Sequence, residues 1–321
     1  MIKINNNLFN KFLFFGCIMT IPLSLFIPEL KISSWLALIT GIVFTLILGN
    51  PFEGKTNNLT SSLLKTSVVF IGFGYPISSI SDLSSSEFSY VIIFVVLALI
   101  IGYILAKILN VERKTSDLIS SGTAICGASA IAAIASSIKA NEKQISISLG
   151  TVFILSVSGL IFYPSVGNYF SLSEHQFGIW SGLTIHDTAS AIGAAQDFDE
   201  LTGSNSLKTA TIFKLAKVLF IVPIVFLYSF KYKDGGKKIQ FPIFIVFFLF
   251  AMILNSLTSE LEFFSLLKDL GKKGLQISLF LIGTNLSLKN LKSIGFKPFI
   301  YGLIIWIILS STSLIVIKYF S

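Results

Sequence analysis

Apolar residues run through this chain in blocks close to the roughly 20 residues a helix needs to cross a bilayer. The blocks are 13–28, 33–49, 61–80, 88–109, 144–164, 208–230, 240–257, 273–288 and 296–318, separated by short polar, Gly or Pro stretches. They predict an all-α, polytopic membrane protein with about nine spanning helices. Two further segments, 117–139 and 177–197, are apolar overall but broken by small and polar residues where a lipid-facing helix would carry Leu and Phe. Irregular backbone at membrane depth survives only where protein or a water-filled cavity satisfies its amides. The two segments are therefore predicted to be re-entrant hairpins or broken crossings beside a transport pathway.

The blocks repeat. Lys65–Leu105 laid on Gln276–Val316 without gaps sets Ser67 on Ser278, Ile71-Gly72 on Ile282-Gly283 and Tyr90 on Tyr301. Copies extend over 33–109 and 240–318. A second pair, 117–164 and 177–230, contains SGTAICGASAIAA (Ser121 to Ala133) and SGLTIHDTASAIGAA (Ser181 to Ala195), which align after one gap. Repeats of this kind are the signature of secondary transporters, and they make residues 1–321 one transporter domain.

Charge sets a direction. Lys3, Lys11, Lys55, Lys65, Arg113, Lys114, the run Lys231, Lys233, Lys237, Lys238, and Lys289, Lys292, Lys297 fall between the apolar blocks or at their ends and mark the cytoplasmic side. The N-terminus is then inside and the C-terminus outside. Loops 81–87, with Asp82 and Glu87, and 197–200, with Asp197, Asp199 and Glu200, face outward. Lys268, Lys272 and Lys273 break this rule. The outer copies run in opposite directions on this map, and the inner copies invert with them only if each broken segment is a hairpin. Lys139 and Lys143, and the absence of Lys or Arg from Gln144 to Leu207, favour hairpins. Two broken crossings are the alternative.

Composition narrows the class. A 321-residue chain that is 53% hydrophobic and 12% charged, with 31 Phe, excludes an ordinary soluble domain. It carries no Gly-rich phosphate loop, metal-spaced Cys/His cluster or nucleic-acid module, so neither a cofactor nor a nucleic-acid partner is expected. The net charge of +8 comes mostly from the short loops. Cys17 and Cys126 lie in apolar segments and suggest no disulfide framework. The run Leu13 to Ile27 follows Lys3 and Lys11 as a signal peptide would, but no small-residue cleavage site follows, so it is expected to be a retained helix.

Candidate chemistry gathers in the paired motifs. Thr123, Cys126, Gly127 and Ser129 in the first, and Thr184, His186, Thr188 and Ser190 in the second, are candidate ligand-binding residues. A break near Cys126-Gly127 would free amides that favour an anion; the bland alternative is a small-residue packing face. His186 and Asp187 are ionisable groups in an apolar stretch and so candidates for proton or ion coupling; alternatively they cap a half-helix. Lys214 and Lys217 share one helix face; buried there, a lysine would attract an anion or ion-pair with Asp187, with Lys214 the likelier site residue and a third candidate for proton or ion coupling, and snorkelling to the surface is the bland alternative. Thr284 and Asn285, in IGTNLS opposite IGFGYP (Ile71 to Pro76), complete the set. His175, between Glu174 and Gln176, reads as a loop residue.

GTAICGASAIAA at Gly122 to Ala133, together with GLTIHDTASAIGAA at Gly182 to Ala195, resembles the paired motifs of the sulfate-exporter family of bacterial inner-membrane proteins. The resemblance covers nearly the whole chain. It implies membership of the cation/proton antiporter and anion transporter superfamily, with inverted repeats, a core whose two discontinuous elements meet near the midplane, and a scaffold of straighter helices. Relatives commonly follow the His and its acid with Gln-Val three residues on; Ser190-Ala191 stands there instead, which removes the family's glutamine from any role in substrate preference.

The leading expectation is therefore a secondary transporter, not an enzyme, for a small anion such as sulfate, sulfite or a sulfonate. It would work in the bacterial plasma membrane by alternating access with proton or sodium coupling. A cation/proton antiporter using Asp187 as carrier carboxylate is the alternative. An intramembrane enzyme would need a nucleophile or metal partners beside His186-Asp187, and no HExxH pattern supplies them. Its partners are the bilayer and the anionic solute, with monomer and homodimer both open.

Overall fold

The computed structural model describes residues 7–23, 32–52, 56–78, 85–232, 243–258, 262–285 and 295–320. The expectations for Lys3, Lys55, Asp82, the basic residues at 233–238 and 289–292, and 286–287 of the IGTNLS motif lie outside these residues. Within them the regular structure is helical. In chain order the helices are α1 (Asn7–Leu23), α2 (Ser34–Leu48), α3 (Thr56–Gly72), α4 (Ser85–Ile108), α5 (Arg113–Ala124), α6 (Ala128–Ser137), α7 (Glu142–Tyr169), α8 (Glu174–Thr184), α9 (Thr188–Thr202), α10 (Ser206–Leu219), α11 (Ile221–Tyr232), α12 (Phe244–Leu257), α13 (Glu262–Thr284) and α14 (Phe296–Phe320). They form two compact units, 1–82 with 243–288 and 83–242 with 289–321.

In the first unit α13 packs on α1, α2 and α3, and α3 also packs on α12. Exchanging α2 with α12 and α3 with α13 preserves this pattern, as the repeat of 33–109 in 240–318 requires. The aligned glycines show why. A methyl on Gly283 of α13 would sit 2.3 Å from the Leu38 carbonyl oxygen of α2, and one on Gly72 of α3 would sit 3.0 Å from the Phe248 carbonyl oxygen of α12. Both interfaces bring backbones close together at a glycine, most tightly at Gly283. Phe14, Phe44, Phe52 and Phe280 pack edge to face beside them, Phe14 meeting Phe52 at 5.2 Å and Phe44 and Phe280 at 5.5 Å. The block expected at 273–288 begins instead at Glu262, so Lys268, Lys272 and Lys273 belong to a helix rather than an outer loop. There Lys268 lies over the Tyr75 ring at 4.5 Å and Lys272 pairs with Asp269 at 3.5 Å.

The second unit holds both interrupted segments, and each folds back on itself. Lys114, at the start of α5, donates to the carbonyl of Lys139, just past α6, at 2.8 Å. A straight helix from 114 to 139 would hold these ends about 37 Å apart. Likewise Phe177 near the start of α8 stacks on Phe198 near the end of α9 at 3.9 Å, where a straight helix would separate them by about 31 Å. The first hairpin is thus α5–α6 and the second α8–α9. Helix α7, 28 residues and so about 42 Å long, joins the base of one to the base of the other. Asn141 and Ser173, each in a capping box with Gln144 and Gln176, start the helices at these two bases. Helices α10 and α11 make the return journey. Exchanging α7 with α10–α11, and α4 with α14, again preserves the packing: α7 lies on α9 as α11 lies on α6, and α4 lies on α5 as α14 lies on α8. The expected outer loop 197–200 is instead the last turn or so of α9, where Asp199 caps α10 by accepting from the amides of Ser206 (2.6 Å) and Leu207 (3.0 Å).

Four stretches among the described residues are long and apolar enough to cross a membrane: Glu87–Ile108, Glu142–Tyr169, Ser206–Tyr232 and Phe296–Tyr319, all in the second unit. In the first unit α1, α2, α3 and α12 are apolar but shorter, at 14 to 17 residues.

Gly283→Ala must push α2 and α13 apart, so it should lower stability by about 1–3 kcal/mol. Gly16→Ala, with nothing within 4 Å of the added methyl, should be neutral or gain up to about 1 kcal/mol from helix propensity. Thermal unfolding in detergent compares the two.

Candidate functional site

The hairpin tips are Ile125-Cys126-Gly127 and Ile185-His186-Asp187. Gly127 has φ +63°, a left-handed conformation that favours glycine, and its amide donates back to the Gly122 carbonyl at 2.9 Å, closing the turn. The two tips touch. A methyl on Gly127 would lie 3.5 Å from the carbonyl carbon of His186 and 3.6 Å from Cβ of Asp187. The middle of α7 supports both, with Val152 against Gly127 and, one turn on, Ser156 Oγ accepting from the Asp187 amide at 3.2 Å.

A helix C-terminus leaves its last carbonyls without intrahelical partners. At the α8 tip four consecutive carbonyls are satisfied by side chains from other helices, two buried lysines and the half-buried Trp306. Lys217 donates to Leu183, Trp306 to Thr184 at 3.2 Å, and Lys214 to Ile185 and, at 2.7 Å, to His186. Lys217 also reaches the Thr123 carbonyl of the first tip at 3.4 Å and lies over the Phe94 ring at 4.2 Å. Both lysines are wholly buried, and α8 directs its negative dipole end at them.

This arrangement corrects two expectations. Lys214 makes no ion pair with Asp187, and neither lysine snorkels; the carbonyls of α8 are what hold them. Asp187 is instead the N-cap of α9, its Oδ1 accepting from the Ser190 amide at 2.9 Å, and the side chain is half-buried. Among the described residues it has no salt-bridge partner. His186 is fully buried, with Nε2 3.1 Å from Thr123 Oγ1 and Nδ1 without a hydrogen-bond partner among the described residues. Thr123 and Thr184 are buried and turn their hydroxyls to their own helices, onto Ile119 (3.0 Å) and Trp180 (2.6 Å). Cys126 and Ser190 are buried, Thr188 is half-buried and Ser129 is exposed. Thr284 and Asn285 belong to the other unit, where the Thr284 carbonyl accepts from Thr45 Oγ1 at 2.8 Å and Asn285 meets Asn50 Nδ2 at 3.1 Å.

One group beyond the sequence expectations supports the tips. Trp306 stacks at 5.8 Å on Tyr163, which stacks at 3.9 Å on Trp180, and Trp180 donates to the Ser310 carbonyl at 3.0 Å. This fixes α7, α8 and α14 together. Lys217 was visible in sequence as a second buried cation three residues after Lys214. Trp306, inside an apolar block, carried no such signal.

The starts of the two inner half-helices differ. Asp187 caps α9, whereas α6 begins at Gly127 without a side-chain cap, with Ala128 and Ser129 exposed. The uncapped first-turn amides of α6 and its positive dipole end favour an anion. Among the described residues no three His, Cys, Asp or Glu side chains group closely enough to hold a metal ion.

Replacing either lysine by methionine keeps the bulk but strands buried carbonyls. Lys214→Met and Lys217→Met should each cost about 1–3 kcal/mol, while Lys143→Met, at an exposed position, should stay within about 0.5 kcal/mol. Thermal unfolding midpoints give the comparison.

Known proteins share this sequence over most of its length. The family described as "Conserved hypothetical protein 698" matches residues 12–302. A UPF0324 membrane protein of Bacteroides thetaiotaomicron is 39% identical over 316 residues, 95% of this chain and 94% of its own. Another from Bdellovibrio bacteriovorus is 39% identical over 88% of each chain, and one from Porphyromonas gingivalis is 40% identical over 88% of this chain and 87% of its own. No solved structure gives a significant match. With four stretches among the described residues long and apolar enough to cross a bilayer and relatives that are membrane proteins, the chain belongs to this conserved family of membrane proteins.

Proposed function

We propose that this protein is a secondary active transporter of a small oxyanion, of the sulfate, sulfite or sulfonate class, working by alternating access. The observation that carries the reading is the meeting of two hairpins at the middle of α7, one tip presenting the uncapped start of α6 beside two buried lysines. Both hairpins are re-entrant in this reading, entering a bacterial plasma membrane from opposite faces, with the N-terminus and the Lys114–Lys139 base cytoplasmic. Gly127 lets the anion approach the α6 amides. Ser129 and Thr188, the site hydroxyls not wholly buried, contact it. His186 and Asp187 carry the coupling proton or respond to the coupling sodium, and Lys214 and Lys217 hold the tip that bears them. The protein acts without a cofactor and catalyses no covalent reaction.

A second reading has its own support. Asp187 is half-buried and unpaired among the described residues, as a carrier carboxylate of a cation/proton antiporter would be. The two separate in one experiment. Purified protein is heated with sulfate, sulfite, thiosulfate, small sulfonates, Na⁺ or Li⁺, since a ligand that binds the folded state raises its unfolding midpoint. An oxyanion should raise it, and Gly127→Leu should abolish that shift. A response to Na⁺ or Li⁺ alone, lost in Asp187→Asn, would establish the antiporter instead.

For coupling, His186→Gln should change the dependence of proteoliposome transport on pH while retaining anion binding. An unchanged profile would leave His186 only its contact with Thr123.

A further inference from the structure

A cavity of about 460 Å³ lies at the base of the first hairpin, lined by Tyr103, Lys107, Glu112, Arg113, Asp117 and Lys231, among others. That volume is in the range of small-molecule sites. Its acidic groups are already engaged. Asp117 accepts from Lys231 at 2.8 Å and from the Tyr232 hydroxyl at 2.7 Å; Glu112 accepts from Thr115 at 2.9 Å and from Gln144. Lys107 and Arg113 have no carboxylate partner among the described residues. Lys107 lies over the Tyr103 ring at 4.4 Å and Arg113 over that of Tyr232 at 5.7 Å, contacts that hold both cations at the cavity. The opening therefore presents positive charge.

Its level in the fold indicates what would fill it. Lys107 sits in the last turn of the apolar stretch Glu87–Ile108, and Lys231 in the last turn of Ser206–Tyr232. Both stretches are long enough to span, so their ends reach the depth of lipid phosphates. Exposed Tyr103, Ile104 and Ile108 flank the cavity with apolar surface. Basic pockets between helices at a membrane surface bind phospholipid headgroups.

We propose that this cavity is a second anion site, separate from the hairpin tips, which binds a phosphate ester. Lys107 and Arg113 take the phosphate oxygens, while Asp117 and its partners form the floor. The site stands independently of the transport reading. An anionic phospholipid and a free phosphate-bearing solute share this chemistry, and the experiment distinguishes them.

Native mass spectrometry measures retention of phosphatidylglycerol and phosphatidylcholine by wild type, by Lys107→Gln/Arg113→Gln, and by the charge-matched control Lys65→Gln/Lys143→Gln. All four positions are exposed, so both variants should fold. The pocket variant should hold phosphatidylglycerol roughly 30-fold more weakly, with the control unchanged. In a second arm, a rise in unfolding midpoint with inorganic phosphate or glycerol phosphate in wild type but not the pocket variant would support the site with a free solute as its occupant. Retention of phosphatidylcholine as tight as that of phosphatidylglycerol would exclude the lipid as occupant and leave the site to the second arm; the proposal is overturned if the pocket variant matches wild type in both arms or if the control loses as much.

Discussion

The second unit depends on one requirement, that backbone carbonyls exposed by stopping a helix in an apolar interior must find donors. An orphaned buried amide or carbonyl costs several kcal/mol where water cannot reach it. Leu183, Thr184, Ile185 and His186 meet that requirement with Lys217, Trp306 and Lys214, brought in from α10 and α14. A lysine side chain is a strong donor, and the negative end of α8 favours a cation there. The lysines thus serve the backbone before they serve any ligand, and the break in the second hairpin persists because they do.

The long helices make the meeting of the tips geometric rather than accidental. Helix α7 starts at one hairpin base and ends at the other, so tips that each reach inward about half its length converge on Val152 and Ser156. Helices α10 and α11 repeat the arrangement in reverse, from Asp199, which caps the start of α10, to Asp117, which pairs with Lys231 near the end of α11. Charged groups at the bases and small residues at the tips divide the labour. Bases anchor through ion pairs and capping boxes, whereas the tips approach because Gly127 presents no side chain.

Much of this was legible in the sequence because it follows from spacing and polarity. Small and polar interruptions marked both breaks to within a residue or two, and the absence of Lys and Arg from Gln144 to Leu207 leaned toward folding back. The repeat aligned Gly72 with Gly283, and the structure places both at helix contacts that the sequence did not indicate. What was not legible depended on tertiary partners. Asp187 looked like the natural counter-ion for Lys214, but sequence cannot show that a lysine two helices away is turned to carbonyls. Trp306 was one aromatic among many, and the bonds from the Thr123 and Thr184 hydroxyls to the carbonyls of Ile119 and Trp180 are set by the fold. The Lys268–Lys273 anomaly came from reading an amphipathic helix as a loop.

The proposed transport function requires the hairpins to enter from opposite faces of the membrane, and labelling tests this most directly. In a background with Cys17 and Cys126 replaced by alanine, single cysteines are placed at the exposed positions Lys143, by the first base, and Asn168, by the second. A membrane-impermeant maleimide applied to intact cells should react at 168 and not at 143, and the pattern should reverse in inverted vesicles. Reaction of both positions from the same side would contradict opposed re-entrant hairpins, and with them the alternating-access site at their tips.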